Sequence, residues 1–345
     1  MELGITTFAE TIPDPDTGDV VGHGERLRQV VTEIETAEQA GLDVYGVGEH
    51  HRPDFAASAP AVVLAAAAGR TSKITLTPAV TVLSSDDPVR VYQQFATLDL
   101  LSDGRAELLV GRGSFIESFP LFGYSLNDYE GLFEEKLDLL LQIRDHEQVT
   151  WSGRFRAPLD RQRVYPRSEG RPLPIWVGVG GSPQSIVRAG TRGLPVALAI
   201  IGGSPDRFAV LADLHRRTLE QSGFDPAGAP LAVHAHGYVA ETDDQAAEEF
   251  FPSYATAMSN LGRERGWPPM SRIQFEAMRA PGGSLVVGSP NTVASKILRW
   301  REVLGIQRFM LHVSVGTLPH ERVMRSIELL GTAVAPLVRD EVPAR

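Results

Sequence analysis

With 345 residues, of which 43% are hydrophobic and 22% charged, the chain can bury a sizeable core as two average domains or one large α/β barrel. A formal net charge of −10 argues against nucleic acid as a partner, while leaving room for one local phosphate pocket. The lack of cysteine excludes disulfides and thiolate chemistry, and no signal-like start or bilayer-length apolar run is present, so a cytoplasmic protein without membrane contact is expected.

Short β-rich runs alternate with helix-period segments along the whole chain. Strands are predicted at Leu3–Phe8, Val44–Gly48, Ile74–Val82, Ala106–Gly111, Ile175–Val179, Val196–Ile201, Leu231–Val239 and Arg308–Val313. Between the first two, Leu27, Val30, Val31, Ile34 and Ala37 share one helical face, and Gly41 stops that helix. Four later helices are predicted to start at a capping residue followed by proline: Asp87-Pro88, Ser182-Pro183, Ser204-Pro205 and Ser289-Pro290. Runs such as Ile175-Trp176-Val177 are continuously apolar, as parallel strands covered on both faces must be. Eight such units predict an α/β fold, a (β/α)8 TIM barrel spanning residues 1–345 as a single domain, with excursions near 149–171 (a hairpin) and 263–284 (a loop with one short helix).

Barrel chemistry collects where strands end. After the second strand, Gly48-Glu49-His50-His51 concentrates groups that titrate near neutral pH; the competing reading is a structural loop. Glu49 is placed to orient the His50 ring. At the third strand, the small residues around Ala79 and Val80 let a flat ring approach the backbone, or simply pack the barrel. After the fourth, Gly111-Arg112-Gly113-Ser114-Phe115 offers converging N–H groups and a guanidinium to a phosphate, with a surface ion pair as the plain alternative. After the fifth, Gly180-Gly181-Ser182 opens a helix N-terminus and suits a mononucleotide phosphate better than a dinucleotide. His234 and His236 lie on one face of the seventh strand, able to join His50 at a substrate or to form a metal site with Glu49 and His51.

Gly48-Glu49-His50-His51, Ser84-Ser85-Asp86-Asp87-Pro88-Val89-Arg90, Leu101-Ser102-Asp103-Gly104-Arg105, Gly111-Arg112-Gly113 and Gly180-Gly181-Ser182 together resemble the bacterial-luciferase-like flavin monooxygenase family. The resemblance implies FMN as cofactor, His50 supporting flavin oxygen chemistry, and Ala79 and Val80 against the isoalloxazine ring. It also implies Arg112, Ser114 and Phe115, with Gly180, Gly181 and Ser182, at the phosphate and ribityl chain. Luciferase has a cysteine beside the flavin where this chain has Gly111, so light emission is not implied. The expected protein is an FMN monooxygenase acting on a small-molecule substrate, supplied by a separate flavin reductase, and a homodimer. Its alternatives are deazaflavin- or FMN-dependent hydride transfer, a metal-dependent hydrolase and a non-catalytic flavin carrier.

Overall fold

A computed structural model describes residues 1–14, 17–113 and 115–340. The first strands in chain order are β1 (Glu2–Thr7), β2 (Val44–Val47), β3 (Thr75–Pro78), β4 (Thr81–Val82) and β5 (Leu108–Gly111). The hairpin β6 (Gln148–Trp151) and β7 (Leu159–Arg163) follows. Then come β8 (Ile175–Val179), β9 (Val196–Ala199), β10 (Leu231–Val239), β11 (Val286–Gly288) and β12 (Arg308–His312).

Parallel pairing runs in the order β3-β2-β1-β12-β10-β9-β8-β5-β4. The predicted strand Ile74–Val82 is interrupted: β3 and β4 are two parts of one stave, separated at Ala79-Val80, whose peptide bond is cis. The ring closes through β4 on β5 and through a parallel bridge from Leu76 to Ala106. Counted by staves, the architecture is the expected eight-unit barrel. Of the other predicted strands, Ile175–Val179 and Leu231–Val239 form with the expected bounds, and the rest have ends moved by one or two residues, because apolar periodicity says little about where a ladder stops.

The helix His23–Gln39 buries Val30, Val31, Ile34 and Ala37 against the sheet, and Gly41 follows it at φ +82°. All four predicted caps form: Asp87, Ser182, Ser204 and Ser289 each accept a backbone N–H from the turn they open. At the amino-terminal end of the barrel, Arg308 lies 4.5 Å over the Trp176 ring and pairs with Glu107 at 2.6 Å and Glu2 at 2.7 Å, closing the floor.

The first excursion is the hairpin β6–β7. The second is larger than predicted. A long helix, Asp243–Arg265, leads into the helix Arg272–Arg279, and β11 then pairs with the outer end of β10. Among the described residues no helix is long and apolar enough to cross a membrane.

Candidate functional site

A cavity of about 430 Å³ opens at the carboxyl ends of the strands. Its base is the interruption between β3 and β4. The Val80 side chain rests on Leu109, Trp176, Ala197 and Ala232, a small apolar cluster inside the barrel. Neighbouring strand ends are glycine because this segment leans inward. A Cβ at Gly111 would lie 2.6 Å from Val80 Cγ2, one at Gly178 2.9 Å from Val80 Cγ1, and one at Gly46 2.9 Å from Ala79 Cβ. Ala79 and Val80 thus form a raised apolar platform that the glycines make room for. Gly111→Val is expected to displace Val80 and cost about 1–3 kcal/mol, the usual scale for overpacking. An unchanged thermal midpoint in that variant would show that the platform yields freely.

One end of the cavity is cationic. Arg112 lies 5.1 Å over the Tyr129 ring and is ion-paired with Glu130. The other oxygen of that carboxylate accepts from Arg188 at 2.8 Å. Two arginines share one carboxylate, leaving a net positive charge. Arg188 stands behind Arg112, its guanidinium buried 5.7 Å over the Phe133 ring, so it reaches the cavity only through the carboxylate it shares. Gly113 and Gly180 line the same cavity, and nothing within 4 Å would meet a Cβ at Gly180. Gly181, at φ +115°, and Ser182 sit behind it, where Ser182 Oγ accepts from Ser185 N.

The opposite side is a cluster of rings. His50 stacks on Phe55 at 4.4 Å and meets Phe8 at 4.5 Å and Phe115 at 5.0 Å edge-on. It lines a recess of about 70 Å³ that shares Phe8, Ala79, Val80 and Gly113 with the main cavity. Burial, with lesser contributions from His312, His51 and Arg52, pushes its pKa down to about 3, so the ring is neutral at pH 7. His234 and His236 both line the main cavity, and burial likewise holds each at about 3.

The structure redistributes several expected partners. Glu49 does not orient His50: its Oε1 pairs with His51 Nε2 at 2.9 Å and its Oε2 accepts from Val82 N at 2.9 Å, tying the loop after β2 to β4. Phe115 packs beside His50 and lines the smaller recess, and Ser114 lies outside the described residues. Among the described residues no three His, Asp or Glu side chains converge to hold a metal ion, so the proposed grouping of Glu49 and His51 with His234 and His236 is not formed. Sequence reasoning missed Thr6 and Phe8 at the end of β1 and His312 at the end of β12, all lining the cavity. The strand-end rule that located His50 reaches them too. Arg188 carried no such signal, because it does not line the cavity and reaches Arg112 only through Glu130 on another helix.

The family model described as luciferase-like monooxygenase matches residues 1–308. The 4-hydroxyprotoasukamycin monooxygenase of Streptomyces nodosus subsp. asukaensis is 28% identical over 322 residues, covering 88% of this chain and 84% of that protein. Among solved structures, the oxygenating constituent of 3,6-diketocamphane monooxygenase of Pseudomonas putida, in complex with FMN, aligns with a TM-score of 0.78 at 20% identity over 98% of both chains. A coenzyme F420-dependent secondary alcohol dehydrogenase aligns at 0.77 and 19% identity, covering 99% of this chain and 100% of the other. At such identities the structural matches speak for the fold alone.

Proposed function

The chain belongs to the luciferase-like monooxygenase family, and on that footing we propose that it is an FMN-dependent monooxygenase acting on a small organic substrate in the cavity above Ala79 and Val80. The observation that carries this reading is the polarity of one cavity: an apolar platform in the middle, Arg112 beside the backbone of Gly113 and Gly180, and a neutral imidazole in an adjoining ring-lined recess. The volume falls within the ~300–1,000 Å³ range of small-molecule and cofactor pockets. The residues fit the group. Arg112 and the backbone at Gly113 and Gly180 would hold a phosphate, with Arg188 behind them through Glu130, and Val80 would back the ring system. Ser114, Gly181, Ser182 and Phe115 belong to this reading as flanking residues of the same loops.

Reduced FMN, delivered by a separate reductase, would supply the two electrons for oxygen activation. The chain's own contribution is positional. Phe8, Phe55 and Phe115 keep water from His50, and the neutral imidazole can make a fixed hydrogen bond there. Glu49 acts indirectly, by fixing His51 and the start of β4. Exposed Val62 and Leu101, on the helices that follow β2 and β3/β4, give a second copy of the chain an apolar face to cover as a homodimer. A single barrel domain in the cytoplasm completes the reading.

Deazaflavin-dependent hydride transfer is the second reading, favoured by the equally good fold match to the coenzyme F420 enzyme. Arg112→Ala is expected to weaken FMN binding by about 1.5–3 kcal/mol, the scale of a charge-assisted hydrogen bond, with the protein still folded. Unchanged FMN affinity in that variant would move the phosphate elsewhere. Oxygen uptake driven by reduced FMN separates an enzyme from a flavin carrier.

A further inference from the structure

A second titratable centre lies in the cavity wall formed by β1 and β12, separated from His50 by the ring of Phe8. Phe8 is 4.5 Å from His50 on one side and 4.3 Å from His312 on the other. His312 Nε2 lies 2.8 Å from Glu10 Oε1, and His312 Nδ1 lies 3.1 Å from Thr6 Oγ1. Thr6 and His312 line the main cavity, whereas Glu10 is buried behind them at 5% exposure.

The surrounding hydrogen bonds fix which atom carries which proton. Arg26 donates to Thr7 Oγ1 at 3.2 Å, and Ala9 N donates to the same oxygen at 3.0 Å. With both acceptor positions taken, the Thr7 hydroxyl donates to Ser314 Oγ, 2.7 Å away. Ser314 in turn donates to Glu10 Oε2 at 2.9 Å. Glu10 is therefore the terminal acceptor of a chain anchored at Arg26, and it takes its second hydrogen bond from His312 Nε2. Nδ1 is left as the acceptor, so the Thr6 hydroxyl donates to it. Hydroxyl, imidazole and carboxylate stand in the order used to activate a hydroxyl elsewhere in enzymology.

We infer that Thr6, His312 and Glu10 form a proton relay that opens on the cavity and takes the proton of a phenolic or enolic hydroxyl on the substrate. This rests on the reading of the cavity as a substrate site. An imidazole backed by a carboxylate is a strong enough base for a phenol or an enol, but not for an aliphatic alcohol. The wall beside the relay favours such a molecule, with the Phe8 ring for an apolar body and Thr6 for one polar group. In the transfer, the substrate O–H bond breaks as a new Thr6 Oγ–H bond forms. The original Thr6 proton passes to His312 Nδ1, leaving a substrate oxyanion and an imidazolium facing Glu10. No electrons change hands.

The titratable groups around His312 are Glu10, His236 from β10 at 5.4 Å between ring centroids, His50 across Phe8, and, further off, His234 and Arg26. Burial keeps His50, His234 and His236 neutral, so none of them competes for the proton near pH 7. Glu10 is a positioning residue, and Thr6 is the group that would touch substrate.

4-Nitrophenol, whose anion is coloured, is the probe. Its ionisation is titrated against pH in the presence of the protein, with and without FMN. The wild type is expected to shift the equilibrium toward the anion by about tenfold or more relative to water. Thr6→Val, close to isosteric, and His312→Gln are each expected to abolish that shift while FMN still binds. A wild-type protein that leaves the probe's ionisation where water puts it overturns the relay, as does an undiminished shift in both variants. If FMN fails to bind but the shift appears and depends on Thr6 and His312, the relay stands and the cofactor reading falls.

Discussion

His50→Ala is expected to retain FMN and to slow substrate oxygenation by ~10²–10³-fold, the usual loss when a preorganised hydrogen-bonding group at a reacting centre is removed. Retention follows from geometry: His50 lines the smaller recess, whereas Arg112 lines the main cavity and not that recess. The large effect follows from its surroundings, since a ring enclosed by Phe8, Phe55 and Phe115 cannot be replaced by a water molecule in the same place. Burial holds the imidazole at about 3, so its contribution should not vary with pH between about 5 and 8. His51→Ala is the control. His51 acts on the loop through Glu49, so its loss should reduce stability a little and turnover far less. Stopped-flow absorbance of reduced FMN mixed with oxygen, followed by product and peroxide analysis, reads both variants. Wild-type rates in His50→Ala would remove His50 from the chemistry.

A second large effect is expected at Glu33, on the helix behind β1. Arg26 bonds it at 2.6 Å, Tyr45 donates to it at 2.8 Å, and His320 lies 3.4 Å away. Burial alone would raise this carboxyl, but the Arg26 charge, the nearby His320 and the hydrogen bonds from Arg26 and Tyr45 outweigh it and bring it down to about 2. Glu33→Ala leaves a buried guanidinium unpaired and should cost about 3–5 kcal/mol, read as a lower urea midpoint. The pH dependence has a definite sign. A carboxyl lowered from 4.5 unfolded to about 2 folded stabilises the protein fully above about pH 4.5 and loses that stabilisation as pH falls towards 2. The difference amounts to about 3 kcal/mol. His50, His234 and His236, each lowered from 6.5 to about 3, add losses that begin as pH drops through 6.5. Acid stability that is the same in Glu33→Ala and wild type would contradict this assignment.

The eight-unit barrel was legible because each parallel strand must be apolar on both faces and each helix carries a 3.6-residue stripe. The proline-flanked caps were legible for a local reason: Asp87, Ser182, Ser204 and Ser289 satisfy N–H groups within their own turn. The break in the third stave was not. Ile74–Val82 reads as one continuous strand, and only the glycines of three neighbouring strands, at positions 46, 111 and 178, record that Ala79 and Val80 lean inward. Side-chain partnerships between distant segments were also hidden. Glu49 looked like the partner of His50 because it is adjacent in the chain, yet adjacent residues at a strand end diverge, and its carboxylate meets His51 instead. The pairing of His312 with Glu10 spans 302 positions, beyond any local pattern.

A cavity built for FMN should bind FMN in preference to a deazaflavin. Titration of the purified protein with FMN and, separately, with coenzyme F420, followed by quenching of each cofactor's fluorescence, tests it most directly. Saturable quenching of FMN, weakened roughly 10–150-fold by Arg112→Ala, with weaker binding of coenzyme F420, is the expected result. Saturable binding of coenzyme F420 with no binding of FMN would contradict it.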